Sequence, residues 1–499
     1  MNKNILNTLI NVSLINRSIA FLVSISLLLL PFQEEMGHIM QRKYLGIFAY
    51  SASFYPLLIA VLLFGFLTVL KKISLPEEIA FKILLVFLIF ILISGLFNIG
   101  SISRNNGYDT NGFKRFILTY AEFIFVSISI AVIYHAAKIK WGMNTFAAVR
   151  KILLYSFIVP GLYGIVQALY IAGFKGLLPV INYLNGPLHL FMIPAWLNTT
   201  LSGRLASVAG EPSYFAIYLG FLFPWIFSYM FIPGKKIYKL LSAFLAIYVI
   251  ALSVLTYSRT AYFEVIVVIA VFLFLSAYNN NESLRKQASR IIAIMVILFI
   301  IVAVFTGIKQ KERVIDTYDS LLLPNKIFSM NNPSFSSNAT RLVLQYAGFK
   351  MTVAHPLFGV GLGQFGFHFA KYIPAWATKD AELNGEINPS VPFLKGVGFP
   401  PARGLLALIA AETGFTGLII WVSIWFITFY QIFKIYRRLS KKDIYMAVFG
   451  IIILTDIVSV FMDWFTVDTL NFYVYWFVLG LGWIYIYYCK RLLKETDNG

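Results

Sequence analysis

The chain has 499 residues, of which 59% are hydrophobic and only 13% are charged. Average soluble domains are about 25% charged, so this composition excludes a soluble globular enzyme as well as a disordered or collagen-like chain. The formal charge is +19, but the basic residues lie in short runs between apolar segments, which argues against nucleic acid as a partner. The single cysteine, Cys489, and five scattered histidines predict neither a disulfide framework nor a metal site.

Twelve apolar runs are long enough to cross a bilayer, which takes about 20 mostly apolar residues per helix. The runs cover about 17–33, 45–70, 80–100, 115–137, 152–174, 213–232, 238–257, 260–277, 290–306, 404–433, 443–462 and 470–489. They predict an all-α polytopic membrane protein with both termini on one side. The first run shows no small-residue cleavage site after Pro31, so we expect it to be retained as a signal-anchor.

Loop charge predicts the orientation of these spans, because Lys and Arg stay on the cytoplasmic side. With both termini in the cytoplasm, the cytoplasmic loops and tails hold 23 of the 41 basic residues and the short outer loops hold eight. The chain then divides into residues 1–306 with helices 1–9 and an outer loop at about 175–212, a large, partly helical periplasmic loop at 307–403, and residues 404–499 with helices 10–12 and a cytoplasmic tail.

A helix is predicted within the long outer loop. Apolar residues recur there at helical spacing; they are Leu342, Tyr346, Phe349 and Val353. Asn338 suits the N-cap of this helix, and His355-Pro356 suits its end. Arg341 then falls in the first turn, where the positive end of the helix dipole disfavours a cation.

Arg403 repeats this situation at the start of the tenth span, since Pro401 suits the first helical position. An arginine in an electropositive turn is best explained by an anion held between the guanidinium and backbone N–H groups. Snorkelling towards lipid headgroups is the alternative for either arginine alone. Two such arginines bracketing the same loop favour an anion site.

Two further arginines and a glutamate lie at breaks between spans. Arg259 stands in a four-residue polar break within about forty apolar residues, where an ionisable group is a candidate functional residue; a wetted hairpin turn is the alternative. Arg204 precedes Glu211 by seven residues, and Glu211 opens the sixth span. A helix N-terminus stabilises a carboxylate electrostatically, so structure alone can account for Glu211.

Four carboxylates fall inside predicted spans, where each is either a base or proton relay or a buried group that hydrogen-bonds two helices. They are Glu122, Glu264, Glu412 and Asp456. His355, at a predicted helix end, is a candidate base or a cap of helix carbonyls. The glycine-rich stretch 359–366 lacks a preceding strand and a P-loop lysine, so it predicts a tight backbone path rather than a nucleotide site.

Four short motifs follow one another between about residues 200 and 420. They are Gly210-Glu211-Pro212-Ser213, Ser258-Arg259-Thr260, Arg341 upstream of His355-Pro356-Leu357-Phe358-Gly359-Val360-Gly361, and Ala411-Glu412-Thr413-Gly414-Phe415-Thr416-Gly417-Leu418. Their order around one long outer loop resembles the bacterial O-antigen polymerase (Wzy) and O-antigen ligase superfamily of membrane glycosyltransferases. Ligases of this superfamily typically show a His-Asn pair before the last motif. The corresponding Pro400-Pro401-Ala402-Arg403-Gly404 has no histidine, which favours a polymerase.

The resemblance implies a GT-C-like fold in the bacterial inner membrane with its active site on the periplasmic side. It implies that a growing glycan leaves undecaprenyl diphosphate, with inversion, and joins the non-reducing end of a new lipid-linked repeat unit of O-antigen, capsule or exopolysaccharide. The implied partners are the undecaprenyl-diphosphate-linked donor and acceptor, membrane lipids and a polysaccharide co-polymerase that regulates chain length. No cofactor is implied, and we expect the reaction to be metal-independent.

Within this hypothesis, outward-facing arginines bind the diphosphate and stabilise it as it leaves. They are Arg204, Arg259, Arg341 and Arg403. Arg259 and Arg341 share the catalytic role with Glu211 or His355, one of which activates or orients the acceptor hydroxyl. Aromatic residues of the long loop are candidate sugar-stacking platforms, with anchoring at the membrane interface as the alternative; they are Phe365, Phe367, Tyr372 and Trp376.

Three other functions fit the composition. An O-antigen ligase shares most of the motifs. A lipid-linked oligosaccharide flippase or transporter is the second alternative, but such proteins usually show paired repeats, and the long loop has no counterpart in the first half of the chain. A non-catalytic assembly scaffold is the third, and it leaves the outer arginines without a role.

Overall fold

The computed structural model describes residues 12–33, 51–108, 110–188, 203–277, 337–375, 399–440, 442–470 and 472–497, together with residue 377 and isolated residues between 282 and 297. These residues are mostly helical. The α-helices are α1 (Val12–Leu28), α2 (Phe54–Val69), α3 (Ile79–Phe97), α4 (Ile99–Ile102), α5 (Gly112–Ala136), α6 (Thr145–Ser156), α7 (Ile158–Ala172), α8 (Leu178–Leu188), α9 (Pro212–Phe227), α10 (Lys236–Leu255), α11 (Arg259–Ala277), α12 (Ser337–Ala354), α13 (Phe365–His368), α14 (Leu405–Leu439), α15 (Ile444–Asp463) and α16 (Tyr473–Asp497).

Shorter elements join some of these helices. They are a π-helical turn at Ala137–Trp141, 3-10 turns at Gly142–Asn144, Lys175–Leu177, Ser228–Met230 and Phe369–Lys371, and the antiparallel pair β1 (Asn106–Gly107) and β2 (Thr110–Asn111). The pair β1–β2 closes the turn between α4 and α5. The described residues therefore form a helical bundle with tight connections.

The helices follow the predicted spans closely. A described helix occupies eleven of the twelve predicted positions, and the ninth, 290–306, lies almost entirely outside the described residues. Six described stretches are long and apolar enough to cross a membrane; they are Ile79–Phe97, Gly112–Ala172, Pro212–Met230, Lys236–Leu255, Leu405–Leu439 and Ile444–Asp463. Helices α1 and α2 are apolar but shorter. A multi-pass membrane protein is thus supported, whereas twelve spans remain a prediction.

Large aromatic residues fill the bundle where α14, α15 and α16 meet. Trp464 follows α15 directly and is fully buried, with its ring centroid 5.6 Å from that of Trp421 and 4.9 Å from that of Trp425 on α14. Trp476 on α16 lies 6.1 Å from Trp421. This packing holds the start of the α15–α16 connection against α14.

Helix α14 is kinked where a glycine leaves helical geometry. Gly414 has φ 72° and ψ −176°, a left-handed φ that L side chains rarely adopt. A Cβ at this position would lie 2.5 Å from the carbonyl oxygen of Pro356. The kink instead allows the Phe415 N–H to donate to that oxygen at 2.8 Å. The break is thereby stabilised by the segment that follows α12.

One end of the bundle carries the predicted site residues. Helices α9, α11, α14 and α16 begin at this end, and α10 and α15 end there; these helices pack in neighbouring pairs. We call this end the rim. It is the end that the loop charges predict to face outward.

Candidate functional site at the rim of the bundle

Arg204 and Arg259 lie beside the same turn of the rim. The Leu205 N–H donates to the Leu255 carbonyl at 3.0 Å, and Arg204 Nε donates to the Thr256 carbonyl at 3.2 Å. This turn is the polar break that the sequence predicted between two spans, and Arg259 begins the next helix, α11. The Arg259 side chain lies outside the described residues. The backbone nonetheless brings the two arginine positions together.

Arg341 and Arg403 meet at a second rim segment, residues 464–468, which we call the rim loop. Arg341 Nη1 donates to the Thr466 carbonyl at 2.9 Å, and the Arg403 N–H donates to Asp468 Oδ2 at 2.8 Å. Gln345, one turn after Arg341, donates from Nε2 to the Arg403 carbonyl at 2.8 Å. Although 61 residues separate the two arginines in sequence, both therefore contact the same rim loop.

The local reasons that the sequence suggested for these two arginines are wrong. Helix α12 includes Ser337, so Asn338 is not its N-cap and Arg341 is its fifth described residue. Arg403 precedes the next helix, because the N-cap of α14 is Gly404, and it has φ 59°. Pro401 therefore does not open the helix. The helix-dipole argument for an anion lapses at both arginines, and their proximity at the rim loop replaces it.

Glu211 begins a helix whose first turn contacts the segment just before α16. It is the N-cap of α9, with Pro212 in the first turn as predicted, and the Ser213 hydroxyl donates to Glu211 Oε2 at 3.0 Å. The ring of Tyr214 lies 5.1 Å from that of Phe472, just before α16. The segments that carry Arg204, Glu211, Arg341 and Arg403 thus share one rim.

His355 follows the end of α12, where the sequence predicted it. The side chain is exposed, and its Nε2 lies 3.4 Å from the hydroxyl of Tyr372. Tyr372 is therefore placed beside the candidate base rather than isolated in the loop. Trp376, the second predicted sugar-binding aromatic, lies outside the described residues.

His368 is a rim residue that the sequence did not single out. Its Nε2 lies 3.1 Å from Asn105 Nδ2, and Asn105 Nδ2 also donates to Gln364 Oε1 at 2.9 Å. Burial, helped by nearby Lys371 and His355, lowers the pKa of His368 to about 4. The imidazole is neutral at neutral pH, so His368 is a hydrogen-bonding group beside the exposed His355. No sequence pattern singled out His368.

The glycine-rich stretch follows a tight path against α14, as predicted. Gly359, Gly361 and Gly363 have φ of 63°, 98° and 72°, and a Cβ on Gly359 would lie 2.3 Å from the backbone carbon of Glu412. The Glu412 carboxylate accepts from the Phe365 N–H at 3.0 Å. These contacts favour a structural reading of Glu412, which binds the loop to the kinked helix.

The four predicted carboxylates inside spans are all buried. Their exposed fractions are 4% for Glu122, 1% for Glu264, 3% for Glu412 and 2% for Asp456. Asp456 accepts from the indole N–H of Trp225 at 3.0 Å, which joins α9 to α15. Asp456 therefore makes the helix–helix contact that was the alternative to a proton relay.

The arrangement suits recognition of an anion at a membrane surface. Guanidinium groups carry five N–H donors and stay charged, so they match phosphate oxygens geometrically and electrostatically. Within the described part of the chain, no group of three or more His, Cys, Asp or Glu residues is placed to hold a metal ion.

Comparison with known proteins supports the resemblance to the O-antigen ligase and polymerase superfamily. A family model described as O-antigen ligase matches residues 243–422, a range that holds α11, α12 and the kinked start of α14. A search of curated proteins gave no match. The family match supports the O-antigen ligase and polymerase superfamily, whose members are membrane glycosyltransferase-like enzymes, and does not separate polymerase from ligase.

Proposed function

We propose that the protein is a polysaccharide repeat-unit polymerase of the inner membrane. A hydroxyl at the non-reducing end of a lipid-linked repeat unit attacks the anomeric carbon of a growing glycan. A new glycosidic C–O bond forms, the bond from that carbon to the diphosphate oxygen breaks with inversion, and undecaprenyl diphosphate leaves with the electron pair. The hydroxyl proton passes to a base.

The observation that carries this proposal is that Arg341, through its guanidinium, and Arg403, through its backbone N–H, both contact the rim loop. A diphosphate leaving group develops negative charge, and preorganised cations stabilise such charge most where water is sparse. Arg341 is half-buried, and its Nη1 donates to the Thr466 carbonyl. This bond fixes the planar guanidinium and leaves its other N–H groups to bind a ligand. Arg204 and Arg259 would complete the phosphate site from the neighbouring turn.

The acceptor side of the reaction is assigned to His355 or Glu211. His355 is exposed beside Tyr372, which is a suitable position for a sugar and for its hydroxyl. Glu211 already accepts from Ser213, and it lies at the helix end that faces the same rim. A general base must lie within hydrogen-bond reach of the hydroxyl it activates. His355 comes 14 residues after Arg341 at the other end of α12, about 21 Å along the helix axis, so Glu211 is the candidate base if Arg341 binds the diphosphate.

The polymerase is favoured over the ligase by the segment before α14. Pro400-Pro401-Ala402-Arg403-Gly404 carries no histidine where ligases of this superfamily typically show a His-Asn pair. We further propose that both termini are cytoplasmic, that the rim faces the periplasm, that no metal is required and that a co-polymerase sets chain length. The excess of basic residues in the predicted cytoplasmic loops supports this orientation.

Reconstituted vesicles provide the test. Purified protein receives undecaprenyl-diphosphate-linked repeat units, and the product lengths are resolved on a gel. Wild type is expected to form a ladder, and Arg341→Ala and Arg403→Ala are each expected to lower the rate about 10²-fold. Arg437→Ala, an exposed arginine in the last turn of α14 at the opposite end, is the matched control.

The outcomes separate the candidate functions. Wild-type rates in both rim variants would remove the arginine assignment. Transfer of a preformed polymer to a lipid A core acceptor, without lengthening of repeat units, would identify a ligase. Movement of the lipid-linked unit across the vesicle membrane without a new glycosidic bond would identify a flippase.

A further inference from the structure

A cluster of acidic side chains lies inside the bundle, just below the rim. Glu264 on α11 and Asp456 and Asp463 on α15 are 1%, 2% and 2% exposed, and Ser459 of α15 is 4% exposed. All four line one small cavity. The cavity holds about 10 Å³, which is about the space that one water molecule needs.

The polar atoms around this cavity lack hydrogen-bond partners. Both carboxylate oxygens of Glu264, one oxygen each of Asp456 and Asp463, and the Ser459 hydroxyl have none. Buried polar groups are normally paired, because an unpaired group has lost its water without replacement. The Ser459 hydroxyl is an independent sign that the cavity takes a small polar ligand, since it is neutral and would otherwise pair locally.

Glu264 on α11 and Asp463 on α15 line the same cavity, which has room for about one water, so their carboxylates lie close together. Two ionised carboxylates are both acceptors, so no hydrogen bond can join them until one of them carries a proton. Like charges at such a distance in a water-poor interior also repel strongly. A single shared proton supplies the missing donor and removes half of the charge.

The groups that surround the pair offer no other counter-charge among the described side chains. Helix α15 contributes Asp456, and α16 contributes the hydroxyl of Tyr475, which faces Asp463. Helix α9 contributes apolar residues and Gly220, and no described lysine or arginine lines the cavity. The described carboxylates of the cluster therefore depend on protons or on a bound cation for neutralisation.

Gly220 makes room for the Glu264 carboxylate. A Cβ at position 220 would lie 2.1 Å from Glu264 Oε2, closer than any real contact. The carboxylate thus fits into α9 only because this residue has no side chain. The packing of α9 against α11 is accordingly built around the acid.

The cluster is next to the proposed reaction site. The Asp463 carbonyl accepts from the Thr466 N–H at 2.8 Å, and the Thr466 carbonyl in turn accepts from Arg341. Glu264 follows Arg259 by five residues, about 7.5 Å along a helix axis. Both members of the pair therefore lie about one or two helical turns below an arginine of the rim.

We propose that Glu264 and Asp463 form a buried proton-binding site, which holds one shared proton and one water in the cavity with Ser459 and exchanges protons with the rim. The coupling of this site to catalysis rests on the proposed polymerase reaction. The singly protonated pair accepts the proton that the acceptor hydroxyl loses, passed on by Glu211 through water, and becomes neutral. The pair returns that proton to solvent before the next transfer.

Infrared difference spectroscopy tests the proton-binding site without substrate. Protein in lipid nanodiscs at pH 7 is compared with Glu264→Gln and Asp463→Asn. We expect both variants to lose a protonated-carboxyl C=O band that shifts in D₂O, because the new amide donates to the remaining carboxylate. Glu282→Gln, which breaks an exposed ion pair with Lys286, should keep the band. Ser459→Ala should shift the band without removing it, which guards against loss of folding in the near-isosteric variants.

Two results would overturn the site. One is that both variants, compared with wild type, lose only ionised-carboxylate bands and no protonated-carboxyl band. The other is a spectral change on adding Na⁺ or Mg²⁺ to metal-free protein that both variants abolish, since a cation rather than a proton would then neutralise the cluster.

Kinetics in the reconstituted vesicles test the coupling to the reaction. We expect Glu264→Gln and Asp463→Asn to lower the polymerisation rate about 10²-fold and to alter its pH profile, with KM for the lipid-linked unit unchanged. A wild-type rate and profile in both variants would refute the coupling. Absence of polymerisation by wild type would instead refute the proposed function. The infrared experiment would still test the proton-binding site, because it uses no substrate.

Discussion

Two buried acidic sites of the bundle differ in how their oxygens are used. Glu412 accepts from the Phe365 backbone N–H at 3.0 Å, and the glycine-rich stretch also directs the N–H groups of Gly363 and Gln364 towards it. Glu264 and Asp463 have no such donors around their unpaired oxygens. The first site is bonded to the chain itself, which is what a structural role requires. The second lacks those bonds, as expected for a site that takes a ligand or a proton.

The comparison makes opposite predictions for stability and function. Removing a satisfied buried carboxylate leaves its donors unpaired and destabilises the fold. Removing members of an unsatisfied acidic pair relieves repulsion and leaves few broken bonds, so the fold tolerates it while function does not. Substitutions at the two sites therefore test whether Glu412 is structural and the Glu264–Asp463 pair is functional.

The largest expected effect is at Glu412. Glu412→Ala leaves the backbone donors of the glycine-rich stretch without an acceptor, and we expect the free energy of unfolding to fall by about 3–5 kcal/mol. Thermal unfolding in detergent measures this as a lower Tm. Glu412→Gln keeps an acceptor oxygen and should lose less. Equal Tm values for wild type and Glu412→Ala would contradict the structural role.

The next effect is at Gly220. Gly220→Ala places a methyl group where Glu264 Oε2 now lies, and such overpacking costs about 1–3 kcal/mol. Gly65→Ala on α2 is the matched control, because a Cβ there meets nothing within 4 Å, and it should be neutral or stabilising. A double variant with Glu264→Ala should recover most of the loss. No recovery would mean that Gly220 serves another contact.

A smaller effect is expected when the acidic pair is neutralised. The double variant Glu264→Gln/Asp463→Asn should stay within about 1 kcal/mol of wild-type stability or exceed it, because buried charges seldom stabilise a fold. Its polymerisation rate should nevertheless fall. A loss of stability as large as that of Glu412→Ala would show that the pair is structural as well and would contradict the proposed difference between the two sites.

The smallest effect concerns pH and His368. Its pKa in the folded protein is lowered to about 4 by burial, from an ordinary value of 6.5. The unfolded chain therefore binds the proton more readily, so His368 favours folding at pH above 6.5 and disfavours it progressively as the pH falls from 6.5 towards 4. Tm measured over this range should decline less steeply in His368→Asn. An unchanged slope would contradict the burial of this imidazole.

The sequence was informative where a feature depends on local composition. Apolar runs of about 20 residues predicted most of the long described helices, with ends that differ by up to nine residues, and the positive φ values of Gly359, Gly361 and Gly363 matched a predicted tight path. The end of α12 before His355 was also predicted. These features follow from hydropathy, glycine and proline, which act over a few neighbouring residues.

Features that depend on tertiary contacts were not predictable. The helix dipole suggested an anion at Arg341 and Arg403, but the structure places neither in a first turn, and the rim loop that joins them comes 60 or more residues later in the chain. Asp463 was not among the predicted intramembrane acids because it ends a span. Its pairing with Glu264 depends on how α11 packs against α15, which no local pattern encodes.

The most direct test of the account is a structure of the protein in nanodiscs with a non-hydrolysable undecaprenyl diphosphate analogue. We expect the diphosphate at the rim, with its oxygens within hydrogen-bond distance of the Arg341 and Arg403 guanidinium groups. A diphosphate bound at the opposite end of the bundle, or at the rim without contact to either arginine, would contradict the account.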